Sequence, residues 1–188
     1  MKKIISACLM LILTTVPCLA ADKAAFQVGS VTLKSTSSGG NDSVAAATQG
    51  SFLNITIGGT KGTSSGVLTL LIPSSEIANF AKGYTLDLTA SGNNGESDNE
   101  GLVTFLVTKV KVNGFNSSTT SYVTTEDSVG TGTITIASYD AETKTLKFNL
   151  NGKVGPYTVS KGQLGQTPDT DTVDKPILVK ATVIVTLP

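Results

Sequence analysis

Histidine, tryptophan and arginine are absent from this 188-residue chain, and its only two cysteines, Cys8 and Cys18, lie within the first twenty residues. Each absence removes a kind of chemistry. Without a downstream Cys or His there is no Ser-His-Asp or Cys-His nucleophile system. A structural zinc would find neither thiolate nor imidazole. No disulfide can brace residues 21–188, so their fold must rest on core packing. Ser-Lys chemistry survives on paper, but pairs such as Ser160-Lys161 sit in polar sequence with nothing to desolvate the amine.

Charge is also scarce. Beyond residue 20 there are twelve lysines against fourteen acids. No basic stripe marks a nucleic-acid face, and no polybasic run suits an anionic membrane. Glycine-rich phosphate loops are missing too: Gly130-Thr-Gly-Thr133 enters a strand pattern, where a phosphate loop would enter a helix.

The first twenty residues read as a secretory signal peptide. Lys2 and Lys3 give a positive start, Ile4 to Val16 an apolar run, and Pro17 breaks it before Cys18-Leu19-Ala20. The apolar run is short of the ~20 residues a helix needs to span ~30 Å of hydrocarbon. Ile5-Ser6-Ala7-Cys8 resembles a lipobox in residue type but has almost no apolar stretch before it, and Cys18 follows a proline. The expected product is a soluble exported chain beginning at Ala21, with residues 21–188 as one domain and no transmembrane segment.

What remains is rich in Val, Ile, Leu and Thr, whose branched side chains suit a pleated surface. Strands are expected at Phe26–Lys34, Ser51–Ile57, Val67–Ile72, Tyr84–Leu88, Leu102–Val112, Tyr122–Thr125, Thr133–Tyr139, Thr145–Asn151, Val154–Val159 and Ile177–Leu187. One short helix is expected with Ser74 as cap and Ile77, Phe80 and Ala81 as its apolar stripe. Asn113-Gly114 and Asn151-Gly152 are hairpin signals. Pro156 places its strand at an edge. Ser35–Ser43 and Lys161–Lys175 read as loops. The fold class is all-β: an antiparallel β-sandwich, or a small barrel, of about nine strands with one short helix. An outer-membrane barrel would present apolar outward faces with aromatic girdles, whereas these faces carry Thr, Asn and Lys.

Two acidic clusters are candidate calcium ligands: Glu96, Asp98 and Glu100, then Asp169, Asp171 and Asp174. Closely spaced carboxylates with Asn and backbone carbonyls match the oxygen donors calcium prefers. The competing reading is a solvated acidic loop, since neither stretch follows the D-x-[DN]-x-[DN]-G pattern. Four tyrosines, Tyr84, Tyr122, Tyr139 and Tyr157, lie near strand ends. Each can close the rim of the core through its ring and hydroxyl, or stack on a glycan or protein partner.

The segment Gly132-Thr-Ile-Thr-Ile-Ala-Ser-Tyr-Asp-Ala-Glu-Thr-Lys-Thr-Leu-Lys-Phe148 resembles the strand–turn–strand signature of small bacterial secreted β proteins and lipoproteins of unassigned function. The resemblance implies a β hairpin with an Asp opening its turn, and implies no activity. Together these features lead us to expect an exported, non-enzymatic protein of the periplasm or cell surface that acts by binding or assembly. An adhesin or fibre subunit using the final strand for strand addition is the first alternative. A calcium-dependent carbohydrate-binding module is the second, and a carboxylate-dependent hydrolase comes last.

Overall fold

The computed structural model describes residues 22–35, 43–90, 100–113, 116–163 and 166–188. In chain order the strands are β1 (Lys23–Val28), β2 (Val31–Lys34), β3 (Val44–Gln49), β4 (Phe52–Lys61), β5 (Ser64–Pro73), β6 (Thr85–Ala90), β7 (Glu100–Asn113), β8 (Asn116–Asp140), β9 (Thr145–Gln163), β10 (Asp169–Val173) and β11 (Ile177–Thr186). The fold is all-β, and its one helical segment among the described residues is a single 3-10 stretch, Ser74–Asn79.

All eleven strands belong to one hydrogen-bonded sheet. Its ladders form a circuit. From β1 they run through β2, β4, β5, β7, β8, β9 and β11, and the β1–β11 pairing returns to the start. The β2–β4 link is a single pair, Lys34 with Thr60. Strand β3 attaches to β4, β10 attaches to β9, and β6 lies parallel to β7 while pairing antiparallel with β8.

Period-two alternation decides which side chains face the core. In β11, Ile177, Val179, Ala181, Val183 and Val185 are all buried, and Leu187 just beyond it continues the row. Leu146, Phe148 and Leu150 are buried in β9 while Lys147, Asn149 and Asn151 are exposed. Leu53, Ile55 and Ile57 in β4, and Ile134 and Ile136 in β8, follow the same rule. Burying one such side chain contributes about 1.5–3 kcal/mol. These rows join one hydrophobic cluster.

Several elements differ from the sequence expectations. Phe26–Lys34 is two strands, because Gly29 takes φ +57° and turns the chain back between Val28 and Val31. β3 lies where no strand was expected. Its Ala-Ala-Ala core has little β propensity, and pairing along β4 supplies the order instead. β10 lies inside the expected polar loop Lys161–Lys175 for the same reason, held by five pairs to β9. The helix expected at Ser74 is a short 3-10 turn with Pro73 at its cap position and no side-chain capping bond. The Ser74 hydroxyl is buried without a hydrogen-bond partner, Phe80 follows the turn, and Ala81 is exposed.

Asn151-Gly152 does not make a hairpin. β9 runs straight through it, and Gly152 faces Gly132 of β8. A Cβ on Gly152 would run into Leu88 of β6 and the Thr131 carbonyl. Nor is Pro156 at an edge. β9 is interior, paired with β8 on one side and with β11 and then β10 on the other. Its proline is tolerated because it stands where partners change: along β9 the pairing with β11 stops at Val154, the pairing with β10 starts at Tyr157, and the β8 register breaks between Thr124 and Val129. No ladder bond is asked of the missing N–H.

At Asn113-Gly114 the flanking strands β7 and β8 do pair antiparallel, starting from Asn113 with Asn116, while Gly114 itself lies outside the described residues. The turn expected after Asp140 is present, and the Asp140 carboxylate accepts from the backbone N–H of Glu142 at 3.0 Å and of Thr143 at 3.3 Å.

Gly132 has φ +127°, and a Cβ there would collide with the Asn151 carbonyl. Gly132→Ala should therefore destabilise the fold by about 2 kcal/mol or more, combining backbone strain with the clash. Urea unfolding followed by far-UV circular dichroism measures this, and an unchanged midpoint would remove the constraint argued for this pair.

Candidate functional site

The candidate residues fall into separate regions of the sheet. Of the first acidic cluster, Glu96 and Asp98 lie outside the described residues, and Glu100 is placed only by its backbone, opening β7 opposite Asp87 of β6. In the second cluster, Asp169 and Asp171 alternate along β10 and share one face, while Asp174 follows the strand; all three are exposed. Among the described residues, no three His, Cys, Asp or Glu side chains come together in a way that could hold a metal ion.

The four tyrosines divide into two pairs. Tyr84 and Tyr139 gather around Phe80, which is buried. Phe80 meets Tyr139 edge-on at 5.9 Å between ring centroids and Tyr84 tilted at 6.5 Å. Here the rings close the core rim. Tyr84 also donates its hydroxyl hydrogen to the carboxylate of Glu76, a buried residue at the 3-10 turn, and Asn79 donates to the same oxygen at 3.3 Å. The Glu76 hydrogen bond, then burial, then the nearby carboxylate charge together raise the Tyr84 phenol above its usual range.

Tyr122 of β8 and Tyr157 of β9 form the second pair, with ring centroids 6.2 Å apart and planes at 45°. Burial, followed by the neighbouring Tyr122, raises the Tyr157 phenol. Both rings are partly exposed and pack against the core at its edge.

Sequence reasoning overlooked Ser128. Its side chain is fully buried in the β8 irregularity beside Pro156. It donates to the Pro156 carbonyl at 2.6 Å and accepts from the Thr125 N–H at 2.8 Å. A serine within Glu-Asp-Ser-Val carries no sequence signal for this, because the need arises only when β8 meets the proline in β9.

The remaining feature of functional interest is backbone. β11, expected as a strand for donation, is interior and paired on both flanks, with ten pairs to β9 and six to β1. Among the described residues β3 pairs only with β4, and β10 only with β9. The two edges differ. β10 carries Asp169 and Asp171, charges that oppose the approach of another strand. β3 reads Val-Ala-Ala-Ala-Thr-Gln, with no charge and no proline. The Gly58 N–H donates to the Ser43 carbonyl at 2.8 Å. In the antiparallel alternation this directs the backbone groups of Ala45, Ala47 and Gln49 toward β4, and those of Val44, Ala46 and Thr48 outward.

Comparison with protein-family models, with curated proteins and with solved structures finds no match to this chain. No helix among the described residues is long and apolar enough to cross a membrane.

The Tyr84–Glu76 bond makes a pH prediction. Tyr84 titrates higher in the folded than in the unfolded chain, so its contribution is full below the unfolded value near 10.0 and is lost as pH rises through the folded value. Tyr84→Phe should cost about 2 kcal/mol near neutrality and should then lose less stability than the parent between about pH 8 and about pH 11. Urea midpoints at the two pH values test this; parallel losses in both proteins would dismiss the linkage.

Proposed function

We propose that the chain is an exported, non-enzymatic β protein of the periplasm or cell surface, and that it works by assembly through the edge of β3. The observation that supports this reading is an edge that pairs on one side only among the described residues: outward backbone groups at Ala46 and Thr48 in a strand without charge or proline, while the Val44 end is buried near β11. Export is supported by the order of charge, apolar run and small residues in the first twenty positions. A non-catalytic role is supported by a side-chain inventory that, after the leader, holds only carboxylates, lysines, hydroxyls and amides as reactive groups.

The partner is a second copy of the chain, pairing β3 antiparallel to β3 about a twofold axis. Such a contact is self-complementary. Ala45 and Ala47 are exposed and small, so two copies can approach to the ~4.8 Å spacing of neighbouring strands. Main-chain hydrogen bonds supply the affinity in this mode, as in other strand additions. The pairing of both flanks of the final strand within one copy favours β3 over it as the assembling strand.

Sedimentation velocity of the chain from Ala21 onward should show a concentration-dependent dimer. Ala47→Lys, which puts a charge on the exposed face of the edge, should move the equilibrium to monomer by at least tenfold in Kd with its melting temperature kept. A monomer at every concentration, or an Ala47→Lys variant that dimerises like the parent, would rule out β3 as the assembly edge.

A further inference from the structure

At one end of the molecule the core-facing rows of three neighbouring strands run out of apolar residues together. In β4 the row reads Ile57, Gly59, Lys61; in β5, Leu68, Gly66, Ser64; in β7, Phe105, Val107, Lys109. Gly59 and Gly66 are paired, and their bare Cα atoms let Phe26, Leu33 and Val107 pack tightly against them. The row beyond them is therefore the first to leave the core. Together with Ser30, Val31 and Thr32 from the β1–β2 turn and β2, Lys61, Ser64 and Lys109 line an open cleft of about 230 Å³.

The lining has one sign of charge. It holds two lysines and three hydroxyl residues and no carboxylate. The β4–β5 turn is fixed over β7 by Gly62 at φ +60° and by the Thr63 hydroxyl, which donates to the Val110 carbonyl at 3.1 Å. Lys61 and Lys109, on different strands, are thereby held at the same opening. Across the sheet the same face continues from Lys109 through Thr120 to Lys161 and only then to Asp169. At ~4.8 Å per strand Asp169 stands roughly 14 Å away, beyond the ~8–10 Å over which exposed charges act at ordinary ionic strength. Lys161, two strands over, faces Asp169 directly across the β9–β10 ladder and adds no net charge.

We propose that this cleft is a binding site for an oxyanion carried on a molecule of monosaccharide size, a phosphate ester or a carboxylate. Two like charges facing one opening repel each other, and an anion between them reverses that term. The hydroxyls of Ser30 and Ser64 supply neutral donors for the remaining oxygens or for sugar hydroxyls, while Thr32, whose side chain alternates to the other face from Val31, lines the cleft beside them. Val31, buried at the inner wall, gives the apolar contact that a bare ion would not use. The site is independent of the β3 edge and stands or falls separately from it.

Titrating the 15N-labelled chain with inorganic phosphate, glucose 6-phosphate and glucuronate, against sodium chloride of equal ionic strength, tests this. Amide shifts should concentrate at the β1–β2 and β4–β5 turns and around Lys109, with saturation in the millimolar range or below. In the Lys61→Gln, Lys109→Gln double variant binding should weaken at least tenfold, and the Lys61→Arg, Lys109→Arg variant should restore most of it. Both lysines are exposed, so the fold is expected to survive, and an unchanged melting temperature confirms it. Glucose 6-phosphate or glucuronate binding above inorganic phosphate identifies the sugar-borne anion. Equal binding of all three, shifts matched by sodium chloride, or a double variant that binds like the parent overturns the proposal.

Discussion

The β8–β9 ladder holds the two halves of the sheet together. Along one flank β8 carries β7 and β6 in succession, and along the opposite flank β9 carries β10 and β11. Loss of this ladder would open the circuit and leave both flanks without their inner neighbour. Two devices keep it intact where side chains and backbone would otherwise compete. Gly132 and Gly152 lie opposite each other where β6 presses close. A little further along, β8 loses register opposite Pro156, and the buried Ser128 hydroxyl binds both strands across the gap. Sheets usually keep proline at edges; here a change of partners inside the sheet serves the same purpose.

The core rows were legible in the sequence because burial on one face leaves a period-two signature. Leu53-Ile55-Ile57, Leu146-Phe148-Leu150 and the six alternating residues from Ile177 all face inward as their spacing implies. Where a strand owes its existence to a neighbour, the signature is missing. Alanines in β3 and acids in β10 are poor strand formers, and the backbone bonds of β4 and β9 order them. The same limit explains Gly152. Asn-Gly is a turn signal only when the chain is free to turn, and β8 and β6 leave it no room.

The candidate residues were less legible than the fold. Four tyrosines near strand ends are equivalent in the sequence, yet two close the core around Phe80 and two sit together at the β8–β9 rim. Acidic spacing suggested a cation site; Asp169 and Asp171 prove to share one face of an exposed edge strand, and Glu96 and Asp98 lie outside the described residues. The two lysines of the cleft lie 48 positions apart in the chain, and only the coincident ends of three core rows bring them together. A protein nearly neutral overall thus concentrates positive charge at one opening and negative charge on one edge strand, which gives its surface a direction that composition alone conceals.

Asp22 accepts hydrogen bonds from the backbone N–H and the hydroxyl of Thr186, at 2.8 and 2.9 Å. This closes the first and last strands of the sheet at the same end, where antiparallel β1 and β11 begin and finish. The mechanical consequence depends on where force is applied. Tension between residue 22 and the end of the chain would part β1 from β11 bond by bond, beginning at Asp22, as a zipper opens. Tension between either end and the far rim of the sheet would load the ladders lengthwise in shear, with many bonds sharing the load. A molecule anchored and pulled in these two ways would yield at different forces, though its sequence and its fold are the same.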